Sequence, residues 1–185
     1  AAECGQLAFG ENYVQEALEK MEALGDLPGL EWHYIGPIQS NKTRVIAEHF
    51  DWVHGVDRLK VAQRLSEQRL EELEPLNLCL QVNIDNAPTK SGVAPEATLE
   101  LAQAVAALPR VRLRGLMAIP DPSNDPSVQR QRFRELASLL AELRRGVDNG
   151  ELDTLSMGMS GDLEAAIAEG ATIVRLGTAL FGPRD

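Results

Sequence analysis

Lysine is scarce in this chain, with only Lys20, Lys42, Lys60 and Lys90 among 185 residues. None lies inside an apolar run, where burial would hold an amine neutral and nucleophilic, so no strand-borne lysine nucleophile is present in the sequence. Nor does a glutamate inside a strand offer itself as a general base, which weighs against an aldolase or isomerase. Cysteine is equally sparse: Cys4 and Cys79 stand far apart, match no metal-ligand spacing and read as reduced thiols of a cytoplasmic protein. The three histidines, His33, His49 and His54, form no H-x-x-x-H pair or mixed cluster, so no metal is expected. As single residues they read as packed or surface histidines.

Basic residues are outnumbered, 18 Lys+Arg against 28 Asp+Glu, for a formal charge of -10. That field repels nucleic acid and anionic membrane surfaces, so an anionic ligand must be held by local donors. No run of about 18 apolar residues is present to cross a membrane, and no signal-peptide pattern is visible. Low-complexity tracts are missing too, and the only repetition is an alternation of short apolar runs with amphipathic stretches.

That alternation carries the fold. "LAFG" (7–10) leads into "NYVQEALEKMEALG", with Val14, Leu18, Met21 and Leu24 at helical spacing. "EWHYIG" (31–36) precedes "NKTRVIAEHF", and "WVHGV" (52–56) precedes a helix for which Asp57 is the expected N-cap. "NLCLQVNI" (77–84) is followed by a helix with Pro95 at its first position. "VRLRGLMAI" (111–119) leads through "PDPSNDPS" to a long helix ending near Gly146; "DTLSMGM" (153–159) feeds "DLEAAIAEG"; "TIVRLGTALFG" (172–182) is a seventh strand. Such βα alternation predicts a parallel sheet, either doubly wound or closed. Seven units favour a TIM-like (β/α)8 barrel with seven of its eight units in this sequence. "AAECGQ" reads as the last turn of a helix with Gly5 at C′, so the expectation is one barrel domain over 1–185 whose first strand lies upstream.

In such barrels ligands sit at the C-terminal strand ends, with phosphate at the last two. Here those ends are "LSMGMSGD" (155–162) and "VRLGT" (174–178). Glycines let an anion approach the backbone, and Ser160 and Thr178 offer hydroxyl donors. A Ser N-cap beside a Gly kink would account for the first stretch equally well, and Asp162 and Glu164 would repel an anion. Arg175 alternates with Val174 and Leu176 and so points inward; once buried it needs an acceptor, either a ligand atom or an internal carboxylate. Lys42 and Lys90 follow strand ends and could reach the same face.

Six ordered segments, "FGENYVQEA" (9–17), "EWHYIGPIQSNK" (31–42), "TKSGV" (89–93), "LRGLMAIP" (113–120), "LSMGMSGDLEAAI" (155–167) and "VRLGTALFG" (174–182), resemble the pyridoxal phosphate homeostasis proteins. These are single-domain relatives of the alanine racemase N-terminal barrel. The resemblance implies a barrel that binds pyridoxal 5′-phosphate (PLP) and serves its cellular supply without established turnover. It also implies a cytoplasmic monomer and, as partners, PLP and PLP-requiring apo-enzymes. A PLP-dependent racemase and a PLP-free phosphate-binding enzyme are the alternatives. Carried onto this sequence, Ser160, Gly177, Thr178 and the backbone of Met159 resemble the phosphate-binding set. Arg175 resembles the arginine facing the pyridine nitrogen, while Asn12 and Met117 match positions near the ring. Two departures stand out: Gly161 replaces a more usual acidic residue, and the family's Schiff-base lysine lies ahead of "FGEN", outside this sequence.

Overall fold

The computed structural model describes residues 1–148 and 151–182. Ala2–Cys4 make one 3-10 turn closed by Gly5 at φ +86°, the helix end expected from "AAECGQ". Then follow β1 (Ala8–Glu11), α1 (Val14–Ala23), β2 (Glu31–Tyr34), α2 (Thr43–His49), β3 (Trp52–Val56), α3 (Leu59–Gln68), β4 (Leu76–Gln81) and α4 (Thr98–Ala106). The chain continues through β5 (Val111–Met117), α5 (Pro126–Gly146), β6 (Thr154–Ser156), α6 (Leu163–Ala168) and α7 (Thr178–Phe181). Pro95 opens the 3-10 turn that introduces α4, where its missing N–H costs nothing. Asp57, by contrast, does not cap α3: the N-cap is Arg58, whose guanidinium takes the Asp57 carboxylate at 2.6 Å and so diverts it from the helix amides.

All six strands pair in parallel and in chain order. In a flat sheet β3 and β6, three strand spacings apart, would be separated by about 14 Å. Instead His54 of β3 touches Ser156 of β6 at 2.7 Å. The sheet is therefore curled into the arc of a TIM-like α/β barrel with its helices outside. The seventh strand is shorter than expected. Residues 172–176 run beside β6 through a single bridge, Ser156 to Ile173. Beyond Gly177 the chain turns, and the Gly177 carbonyl accepts from both Leu180 and Phe181, so "TALF" is the helical turn α7 and not strand.

The two faces of the sheet have opposite character. Outward, Leu76, Leu78 and Leu80 of β4 are fully buried with Val53, Leu113 and Leu155 under the helix layer. That layer contributes Val61 and Leu65 from α3 and Phe133, Leu136, Leu140 and Leu143 from α5. Each such leucine contributes about 2 kcal/mol by leaving water. The inward positions, offset by one residue, include His33, His54, Asn77, Arg114 and Ser156, mixed with Trp52, Cys79 and Met117. Among the described residues, no helix is long and apolar enough to cross a membrane.

Candidate functional site

At the C-terminal mouth of the arc, β6 hands over to Gly158 at φ +94°, where an added Cβ would lie 2.5 Å from the Ala166 Cβ. The neighbouring stretch is tied to it by the Arg175 N–H, which donates to the Gly158 carbonyl at 2.9 Å. The turns at 159–161 and 176–178 therefore leave adjacent stretches of chain. Ser160, Gly161, Gly177 and Thr178 are all exposed, and a Cβ built on either glycine meets nothing within 4 Å. Among the described residues, the N–H groups of these four donate to no protein acceptor. Ser160 is not a cap: the N-cap of α6 is Asp162, whose carboxylate accepts the Met159 N–H at 2.6 Å. That bond removes Met159 from the free backbone donors, while Gly161 joins them.

Arg175 points inward as its alternation requires. Its Nη1 donates to the Ser156 carbonyl and to Ser156 Oγ, both at 2.7 Å, and its Nη2 donates to the Ala118 carbonyl at 2.9 Å. Among the described residues no internal carboxylate is its direct partner; backbone carbonyls and a hydroxyl hold three of its five N–H donors because the curl brings β5 and β6 to its fork. Burial pulls its pKa down to about 10, with the Asp162 carboxylate acting in the opposite sense, so the guanidinium stays charged at neutral pH. Met117, immediately before Ala118, is buried against Trp52, Cys79 and Ile173. Asn12 approaches the same strand end from the far side of the arc. It lines a cavity of about 310 Å³ together with Gly36, Gln81, Asn83, Lys90 and Ile119. The Gly36 position admits no side chain, since a Cβ there would fall 2.2 Å from the Asn12 carbonyl oxygen.

Lys90 reaches this cavity, but as a cation. Its Nζ lies 2.7 Å from both Asp85 and Asp121 and donates to the Ile119 carbonyl at 3.1 Å. Desolvation lowers its pKa, yet the bonds to Asp121 and Asp85 outweigh it and the net direction is upward. Lys42 is exposed at the start of α2.

The profile of the family described as alanine racemase, N-terminal domain, matches residues 1–185. The chain belongs to this alanine racemase N-terminal domain family. Within it, the chain is 65% identical over 177 residues to the pyridoxal phosphate homeostasis protein of Pseudomonas aeruginosa, covering 96% of this chain and 74% of that one. It is 54% identical over 187 residues to the protein of the same name from Escherichia coli K12, covering 100% and 79%. PipY of Synechococcus elongatus PCC7942, solved with PLP bound, superposes with a TM-score of 0.91 at 42% identity, covering 98% of this chain and 84% of that one.

In this member of the family the inner face of the sheet also holds two histidines that read singly as packed or surface residues. His33 and His54 are buried, at 5% and 0% exposure, and their rings touch at 2.9 Å. The available signal was their position: each sits inside an apolar strand on the inward register. Burial lowers the His33 pKa against the opposing pull of Glu31 and Asp51, and burial, then His33 and Arg175, lowers that of His54 well below 6.5. Because both are held neutral, only the unfolded chain takes up protons as pH falls below 6.5. Stability present above that pH is therefore lost on acidification, by up to about 1.4 kcal/mol per pH unit for each histidine. Asp85 and Asp153, whose pKa values are lowered from 3.8, act only in a more acidic window. Denaturant midpoints should thus fall between about pH 7 and pH 5 and the fall should shrink in His54→Gln; a flat profile would refute neutral burial.

Proposed function

We propose that this chain is a PLP-binding protein of intracellular PLP homeostasis, holding the cofactor by its phosphate at the turns 159–161 and 176–178. The observation that carries this is the pairing of four N–H groups that donate to no acceptor among the described residues with two hydroxyls, at Ser160, Gly161, Gly177 and Thr178, beside the inward guanidinium of Arg175. Ser160 and Thr178 donate to phosphate, while Gly161 and Gly177 leave the backbone open to it. Met159 borders the phosphate with its side chain, since its N–H is already engaged. Asn12 and Met117 adjoin the ring. Bound PLP supplies an aldehyde that combines reversibly with amines.

Arg175 faces the pyridine nitrogen in this reading. A guanidinium that stays protonated can donate to the nitrogen but cannot accept a proton from it, so it keeps the nitrogen unprotonated and makes the ring a poor electron sink. That supports capture and carriage over racemase turnover. The high identity to proteins named for PLP homeostasis and the likeness to PipY with PLP bound support the same reading. We place the protein in the cytoplasm as a monomer that hands PLP to apo-enzymes.

Calorimetric titration of the intact protein tests this directly. Expected is one PLP per chain, with pyridoxal, which lacks the phosphate, bound at least about a hundredfold more weakly. Equal affinity for the two would remove the phosphate site, and inversion of L-alanine by the purified protein would restore the racemase.

A further inference from the structure

Five side chains run in contact from one mouth of the arc to the other. Arg175 Nη1 is 2.7 Å from Ser156 Oγ, which is 2.7 Å from His54 Nδ1; His54 Nε2 is 2.9 Å from His33 Nδ1, and His33 Nε2 is 2.7 Å from Glu31 Oε1. Ser156, His54 and His33 are buried, whereas Glu31, at the N-terminal end of β2, is exposed. The chemistry of the two ends fixes every proton between them. Arginine only donates, so Ser156 Oγ accepts from it and spends its single hydrogen on His54 Nδ1. His54 is then protonated at Nε2 and donates to His33 Nδ1. His33 in turn is protonated at Nε2 and donates to Glu31, a carboxylate that only accepts.

The opposite arrangement of neutral rings fails at both ends. It would set a lone pair of His33 against the Glu31 carboxylate at 2.7 Å and leave the buried Ser156 hydrogen without this acceptor. We propose that Glu31, His33, His54 and Ser156 are positioning residues, a one-way hydrogen-bond chain that fixes Arg175 from the opposite mouth of the barrel. The proposal rests, for its effect on PLP, on the ring-facing reading of Arg175 given above.

The chain has a single weak point. A proton added to His33 makes both its nitrogens donors, turns His54 round to donate from Nδ1, and leaves Ser156 with two donors and a hydrogen to place elsewhere. The charge on Arg175 is unchanged, but its partner no longer holds it in the same way. Burial opposes that proton, while Glu31 and Asp51 favour it; the cations on this face are Arg175, beyond Ser156 and His54, and Arg114, which lies 4.7 Å over the Trp52 ring stacked on His33. Cys79 packs on Trp52 with its thiol pKa pushed up to about 12 by burial, so it adds no charge.

The test uses the intact, PLP-free protein with 15N-labelled histidine and arginine. At neutral pH both imidazoles should be Nε2–H tautomers. Glu31→Ala, at an exposed position, should shift the His33 and His54 ring nitrogens and the Arg175 side-chain signal, while Glu31→Gln, which keeps an acceptor, should restore them. In the loaded protein Glu31→Ala should weaken PLP binding about three- to tenfold and Glu31→Gln should recover most of that, the scale of one hydrogen bond. An Nδ1–H tautomer at either histidine, unmoved His54 and Arg175 signals in Glu31→Ala, or unchanged PLP affinity in that variant would each overturn the proposal. If the wild type binds no PLP while the Arg175 signal still follows Glu31, the positioning chain stands and only the ring-facing reading falls.

Discussion

Replacing Ser160 and Thr178 together by aspartate is expected to lower the affinity of the intact protein for PLP at least about a hundredfold and to leave its melting temperature nearly unchanged. The two side chains lie on turns that leave adjacent stretches of chain and, among the described residues, neither makes a hydrogen bond within the fold. Exchanging them therefore removes little from the folded state. A carboxylate set about 4 Å from a phosphate repels it by roughly 4 kcal/mol at an effective dielectric of 20, and even half of that, retained after solvent screening, exceeds a tenfold loss. Two such charges compound. The neutral pair Ser160→Ala with Thr178→Val should cost less, about tenfold, because the backbone N–H groups remain. Pyridoxal supplies the control: its binding should hardly respond to either pair. A loss shared equally by PLP and pyridoxal would place the phosphate elsewhere.

Gly158→Ala should destabilise the fold by about 3 kcal/mol, the sum of a left-handed backbone penalty and an overpacking cost. Both terms have a visible origin, φ at +94° and a new Cβ 2.5 Å from that of Ala166. The second term can be relieved separately. Adding Ala166→Gly deletes the opposing methyl, so the double variant should recover part of the loss relative to the sum of the single ones; strict additivity in denaturant unfolding would show that contact to be unimportant. PLP affinity per folded molecule should fall as well, since Gly158 sets the entry to the 159–161 turn.

Much of this was legible along the chain because a strand in a two-faced sheet leaves a local signature. "LNLCLQ" (76–81) shows it plainly: leucines at 76, 78 and 80 face the helices while Asn77, Cys79 and Gln81 do not. Arg175 was placed inward by the same alternation. Its acceptors were not legible, because two of the three, the carbonyls of Ser156 and Ala118, carry no side-chain identity. The strand read over 77–84 is β4 at 76–81; at Val82 pairing passes to Val93, and the Asn83 side chain then folds the loop onto Ala87. "TALF" failed for another reason: four residues of apolar and β-branched character suit a strand and a helical turn alike. The link from His54 to Ser156 joins residues 102 positions apart and exists only once the sheet curls.

The division between the two faces of the sheet also bears on how the protein tolerates change. Cohesion resides in the leucines under the helices, so the inner face is spared most of the work of holding the barrel together. Amino-acid replacements there should register first in ligand affinity and proton placement, and those beneath the helices first in cellular abundance. A deep mutational scan that scored the two properties separately would divide the strands residue by residue, with alternate positions falling into opposite classes.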